Sequence, residues 1–197
     1  VPTIRRFRES DRSDVAEICL KTGNGGADAT GMHGSDDLLA DIFALPYVDF
    51  EPELTFVVDT GTRASGYVVA AADTRAFVDR YRREWLPAFE RKYARLAPSA
   101  ILEMGRDPER MMIAELDEYP AHLHIDLLPE LQGQGVGRGL IRALLAALHG
   151  RGVPGVHLGV SPQNTGARAF YHRLGFRPLP SDSGAGSLLG IRTDAVV

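Results

Sequence analysis

Apolar residues recur along the chain in two rhythms, and the alternation between them lays out the elements. Residues 3–7 carry the β-branched and aromatic content of a short first strand. Val15, Ile18 and Cys19 fall on one helical face, with Ser10 or Asp11 as cap and Gly23 as stop. The glycine-rich stretch 22–31 leads to a second helix, which Ser35 caps and Pro46 breaks, with Leu38, Leu39, Ile42 and Phe43 on one side. Residues 54–59 and 66–72 read as two strands of a β-hairpin turning through Gly61. Phe77, Tyr81, Trp85 and Phe89 recur every four residues, so 75–95 is helical, kinked or divided at Pro87. Residues 96–119 are charged and irregular, with Pro98 and Pro108 as punctuation.

The strongest pattern follows. Residues 122–128 form an aliphatic-rich strand bounded by Pro129, and Leu140, Ile141, Leu144, Leu145 and Leu148 make one helical stripe ending at Gly150. With a fifth strand at 155–160 this is a βαβ unit, hence a parallel pair with a right-handed crossover. Beyond Pro178 and Pro180, a loop over 181–187 leads to an edge strand at 188–191. Between strand and helix lies Gln132-Gly133-Gln134-Gly135-Val136-Gly137-Arg138-Gly139. The first N–H groups of a helix lack intrahelical partners and sit at the positive end of its dipole. Glycines let a ligand approach that backbone, so the turn is a candidate anion cradle, most naturally for a pyrophosphate. It is not a dinucleotide fingerprint, because Arg138 stands where the third glycine belongs. Nor does it carry the Gly-Lys-Ser/Thr ending of a Walker loop.

Composition narrows the classes. The 197 residues, 44% of them hydrophobic, suffice for one sizeable core, so a single domain over 1–197 is expected. A net charge of −4 and a pI near 5.9 argue against nucleic acid or an anionic membrane as partner. No apolar run approaches a bilayer span, no signal-peptide core is visible, and a single cysteine forbids an internal disulfide. A cytoplasmic enzyme is the expectation.

The spacing Pro129, Gln132-x-x-Gly135-x-Gly137 resembles the acyl-CoA-binding motif of the GNAT N-acetyltransferases. A second block agrees in order and separation: Asn164, Ala167, then Phe170-Tyr171-x-x-Leu174-Gly175-Phe176. The recognisable core covers residues 120–180, with 75–119 as a helical insertion beside the acceptor pocket. The resemblance implies a mixed α/β fold whose mostly antiparallel sheet splays between strands four and five, with the pantetheine arm of acetyl-CoA in the gap. Its amides would pair with backbone near Leu127 and Leu128. Gln132, Gly133, Gln134, Gly135, Val136, Gly137 and Arg138 would cradle the pyrophosphate, and Asn164 would hydrogen-bond the cofactor or cap the helix before Thr165. Tyr171 would protonate the leaving thiolate, against the plainer role of a packed tyrosine. No metal is implied. The acceptor would be a small-molecule or peptide amine, and a homodimer through sheet edges is allowed.

The general base has more than one candidate. Regular alternation puts His122, His124 and Asp126 on one face of strand four, and burying such groups unpaired is costly. Asp126 is the first choice and His124 the second, with a water relay as third. Counted from the glycine motif, the positions used by several relatives fall on Ala121 and Leu123, which only a bulge would bring to that face. His122, Asp28, Tyr81 and Trp85 are acceptor-side candidates. Stretch 22–31 serves equally as a linker, and Tyr81 and Trp85 equally as an inward aromatic stripe. Glu115, Asp117 and Glu118 are acids that could attract a cation or simply be solvated. His-x-His with Asp126 also has the look of a zinc site, though no cysteine supports it. Cys19 as an acyl acceptor is weaker, since a buried thiol on an apolar face is ordinary. The 22–31 loop, Asp73-Thr74 and Trp85 further resemble the acetyltransferase-like domain of some O-GlcNAc hydrolases. That likeness implies a rival reading, an acyl-CoA-binding or interaction module with weak or no turnover.

Overall fold

The computed structural model describes residues 2–181 and 187–197, so most of the loop expected at 181–187 lies outside the described residues. Strands β1 (Thr3–Arg6), β2 (Phe56–Asp59), β3 (Ala64–Ala71), β4 (Ala121–Leu127), β5 (Gly155–Gly159), β6 (Arg177–Pro178) and β7 (Leu188–Arg192) form one sheet in the order β1-β2-β3-β4-β5-β7-β6. Every neighbouring pair is antiparallel except β4 and β5, which are parallel. The helices are α1 (Arg12–Thr22), α2 (Leu38–Phe43), α3 (Leu45–Phe50), α4 (Thr74–Arg80), α5 (Leu86–Lys92), α6 (Ala100–Arg106), α7 (Val136–His149) and α8 (Thr165–Leu174).

Helices cover both faces of the sheet, which is why β3 is buried along its whole length instead of alternating in exposure. On one face Val68 and Ala70 of β3 join Leu123 of β4, the α7 stripe and Tyr171 and Leu174 of α8 in one apolar cluster. On the other face Tyr67, Val69 and Ala71 pack with Val15 and Ile18 of α1, Tyr47 of α3 and Phe77 of α4. A smaller cluster of Leu38, Ile42, Phe89, Tyr93 and Leu102 ties α2 to α5 and α6. The five stripe residues of α7 are all buried. At roughly 2 kcal/mol per buried aliphatic side chain, that stripe is what fixes α7, and with it the glycine turn, against the sheet.

Several elements differ from expectation. Pro46 does not end helical structure but occupies the second position of α3, and Pro87 stands at the second position of α5. The first N–H groups of a helix are unpaired anyway, so proline is tolerated there and marks a beginning. The division expected at Pro87 is real, but it is a five-residue π-helical turn, Tyr81–Trp85, ahead of the proline. The stretch 96–119 is not wholly irregular: α6 forms within it, capped by Ser99, whose Oγ accepts the Leu102 N–H at 3.2 Å. Finally, β7 is not an edge strand, because the two residues of β6 cover it.

Candidate active site

The pairing of β4 defines the site. Its register with β3 runs unbroken from Ala71 against His122 to Gly66 against Leu127. There is therefore no bulge in this pairing, and Ala121 and Leu123 point into the cluster beneath α7 and α8, away from His122, His124 and Asp126. With β5, by contrast, β4 pairs only at Ala121–Val156 and His122–His157, and then the strands part. Leu128 N–H donates to Ser65 O on the β3 side at 3.1 Å. Backbone direction alternates along a strand, and the last bridge at His122–His157 takes the Leu123 N–H, so beyond it the backbone groups of Ile125 and Leu127 face the opening gap. This is an open ladder for an extended chain of amides.

At the far end of the gap the chain turns through the glycines. Gly133 and Gly135 have φ of +76° and +78°, a left-handed conformation that favours glycine, and no atom lies within 4 Å of where a Cβ would sit on either. The turn is thus open on its outer side. Gly135 caps α7, leaving the N–H groups of Val136, Gly137 and Arg138 directed outward, while Gly139 N–H returns to Gly135 O at 3.2 Å. Gly137 meets a different demand: its Cβ would lie 3.2 Å from both Leu127 and Phe170, so its smallness lets α7 seat on β4 and α8. The Gln132 carboxamide donates to Leu127 O at 3.3 Å and the Gln134 carboxamide to Glu130 O at 2.5 Å, bracing the turn against the end of β4.

Asn164 is the α8 cap, with its Oδ1 accepting Ala167 N–H at 3.0 Å; the amide nitrogen remains available to a ligand. Tyr171 is 7% exposed and packs edge-on against Phe176 at 5.3 Å. Burial raises its hydroxyl pKa, and the negative charge of Asp126 adds to the effect. Among the described residues the buried side-chain polar atoms without a partner are Thr55 Oγ1 and Arg168 Nε, and no protein group bonds the Tyr171 hydroxyl, so that hydroxyl reaches open space.

The opposite face of β4 holds a polar row. Asp126 accepts a 2.5 Å hydrogen bond from Tyr67, its partner across the β3–β4 pair. Burial pushes the Asp126 carboxyl above its ordinary pKa, and the hydroxyls of Tyr67 and Thr22 oppose the shift. His122, 4% exposed, contacts the Tyr47 hydroxyl through Nε2 at 2.8 Å and Thr74 Oγ1 through Nδ1 at 2.7 Å. His124 Nε2 lies 3.1 Å from the same Tyr47 hydroxyl, and Phe43 meets its ring edge-on at 5.6 Å. Burial, helped by the Arg110 guanidinium, takes His124 down to about 3, and burial lowers His122 and His157 as well. All three rings are neutral at ordinary pH.

The remaining acceptor-side candidates have protein partners. Asp28 is held by Lys21 Nζ at 2.8 Å and by Thr30 N–H at 2.8 Å, which closes its own loop. Tyr81 donates to Gly105 O at 2.9 Å, closing the 75–119 segment on itself, and Trp85 Nε1 donates to Asp41 O at 2.9 Å, tying that segment to α2. Asp117 pairs with Arg75, and Glu115 accepts the Ser181 N–H at 2.6 Å. Cys19 is buried, and burial raises its thiol pKa, which removes the thiolate. Both ring nitrogens of His122 are engaged, and among the described residues no group of three or more His, Cys, Asp or Glu is arranged to hold a metal ion. Tyr47, Tyr67 and Thr74 were not legible as site residues, since each reads as an ordinary apolar or capping position until strand and helix pair.

A sheet open between β4 and β5, a glycine cradle at the end of the gap and a free tyrosine hydroxyl on the next helix define a class, and residues 36–176 match the Acetyltransferase (GNAT) family, to which this chain belongs. Among solved structures, SsHAT is 45% identical, with a TM-score of 0.91 over 98% of each chain. The yncA protein of Salmonella typhimurium, solved with acetyl-CoA, shares the fold at 15% identity and a TM-score of 0.56, over 98% of this chain and 94% of that one. The protein O-GlcNAcase of Rattus norvegicus is 22% identical over 183 residues; the match takes in 89% of this chain but only 20% of that protein's length.

Proposed function

We propose that this chain is an N-acetyltransferase that moves the acetyl group of acetyl-CoA to an amine by direct attack within a ternary complex. The observation that carries the reading is the pairing of β4: two residues joined to β5, then a run of gap-facing amides that ends at an open glycine turn. Leu127 marks the end of that run, Leu128 having its N–H on Ser65 O and its C=O on Leu131 N–H, and Gln132, Gly133, Gln134, Gly135, Val136, Gly137 and Arg138 hold the pyrophosphate, with Asn164 donating to the arm. Acetyl-CoA supplies the thioester. A gap-facing N–H of β4 stabilises its carbonyl oxygen as negative charge develops. The amine nitrogen attacks the carbonyl carbon, a C–N bond forms as the C–S bond breaks, Asp126 takes the amine proton and Tyr171 gives one to the thiolate. A carboxyl pushed upward by burial is a stronger base than an exposed one, while His124 near 3 is a poor one, which favours Asp126. We read the chain as one acetyltransferase unit, with the 75–119 segment flanking the acceptor side.

The test is calorimetric titration of acetyl-CoA into the wild type and into Gly135→Trp, which fills the cradle, followed by an amine panel with wild type and Tyr171→Phe. Binding by the wild type alone, with transfer lost in Tyr171→Phe, is expected. No binding by folded wild type overturns the proposal. Binding without transfer to any amine leaves an acyl-CoA-binding module.

A further inference from the structure

Five polar groups beside β4 form a single directed chain, and its direction follows from counting protons. Thr74 Oγ1 lies 2.7 Å from Pro120 O and 2.7 Å from His122 Nδ1. A carbonyl oxygen cannot donate, so at that distance the one hydroxyl proton of Thr74 must go to Pro120 O, or two lone pairs would face each other. Thr74 therefore accepts from His122 Nδ1–H. His122 is neutral, so its Nε2 is a lone pair and takes the proton of Tyr47, 2.8 Å away. Met111 Sδ, 3.7 Å from the same hydroxyl, is a weak acceptor beside an imidazole lone pair at 2.8 Å, so the one proton of Tyr47 goes to His122 and Tyr47 accepts from His124 Nε2–H at 3.1 Å. His124 is neutral too, which leaves Nδ1 bare. That nitrogen has no protein partner among the described residues and is not among the buried unpartnered atoms, so it reaches open space.

We infer that the Pro120 carbonyl, acting through Thr74, His122 and Tyr47, holds His124 as the Nε2–H tautomer so that its bare Nδ1 accepts a hydrogen bond from the acceptor amine. The inference rests on the acetyltransferase reading for its substrate. His124 and Asp126 share one face of β4, one step of the alternation apart. The imidazole, which stays neutral, orients the amine nitrogen, and the carboxylate removes the proton. Thr74, His122 and Tyr47 are positioning residues, and the acceptor they serve is an amine whose nitrogen keeps one N–H on His124 while Asp126 removes the proton of another.

The experiment is a long-range proton–nitrogen correlation on histidine-labelled protein, which reads each tautomer directly and needs neither cofactor nor acceptor. His122 as Nδ1–H and His124 as Nε2–H are expected in the wild type and in Thr74→Ser, which keeps the hydroxyl. Thr74→Val removes the hydroxyl at constant shape, and both tautomers are expected to reverse. A wild-type His124 protonated on Nδ1, or a Thr74→Val protein that folds with unchanged tautomers, overturns the inference. With an active amine, Thr74→Val should raise the amine KM about tenfold, equivalent to one hydrogen bond, and leave acetyl-CoA affinity unchanged. A reversed tautomer with unaltered amine KM overturns the role assigned to Nδ1. Wild-type protein that binds acetyl-CoA but transfers to no amine overturns the acetyltransferase reading instead, and the tautomer result is read apart from it.

Discussion

Tyr67 and Asp126 face each other across β3 and β4, and that contact controls how the proposed base titrates. Asp126→Asn preserves the shape and removes the proposed base, so acetyl transfer should fall by about 10²- to 10⁴-fold with acetyl-CoA binding retained. In the wild type the rate should rise with pH through the raised Asp126 pKa, and the variant should lose that limb. The Tyr67 hydroxyl favours the ionised carboxylate, so Tyr67→Phe should move the inflection to higher pH. A pH–rate profile that does not shift in Tyr67→Phe would count against Asp126 as the titrating group. The row His122, His124, Asp126 was legible from alternation alone, because an unbroken strand keeps period two. Its partners were not, because which tyrosine meets which histidine depends on α3 and α4 crossing this face, and pattern carries no such register.

Among the elements, what was read well and what was read badly have a common cause. The α7 stripe and the glycine turn were legible because both signals are local: five aliphatics at helical spacing, and glycines where φ turns positive. Pro46 misled because proline ends one helix and begins another with the same ring, and only the position of the preceding cap decides. The short α6 was missed since seven residues show too little periodicity, although Ser99 offered a cap. Two substitutions test the packing of these elements. Leu144→Ala should cost about 2–5 kcal/mol in denaturant unfolding, the range for opening a cavity under a buried leucine. Gly155→Ala would bring a Cβ to 2.5 Å from Glu118 O, a backbone atom that cannot step aside, and should cost about 1–3 kcal/mol. Gly135→Ala meets no neighbour, so only its left-handed conformation is strained, by about 1–2 kcal/mol.

For the molecule as a whole, three neutral histidines around β4 set the acid limit of stability. His122, His124 and His157 all have folded pKa values below the ordinary 6.5, so below that pH the unfolded chain binds protons that the native state refuses. Stability is then complete above about 6.5 and is lost as pH falls, by about 1.4 kcal/mol per pH unit for each histidine that stays neutral. Asp126 and Glu51, raised instead by burial, contribute in the opposite sense as pH rises through their folded values, two carboxyls against three histidines. Urea midpoints measured from pH 7 to pH 4 should fall steadily, and His157→Gln should flatten the slope. Among the described residues no helix is long and apolar enough to cross a membrane.

The parting of β4 from β5 has one further consequence. Sheets ordinarily keep their unpaired edges at the outside, where short strands and charge discourage a stranger from joining. Here a frontier of that kind runs through the interior of the sheet, flanked by Ile125 and Leu127, whose half-buried aliphatic side chains would welcome any extended peptide. On the proposed reading, acetyl-CoA covers this adhesive seam. Purified without acetyl-CoA and concentrated, it should self-associate through that seam, and saturating ligand should keep it dispersed, an outcome that light scattering would follow directly.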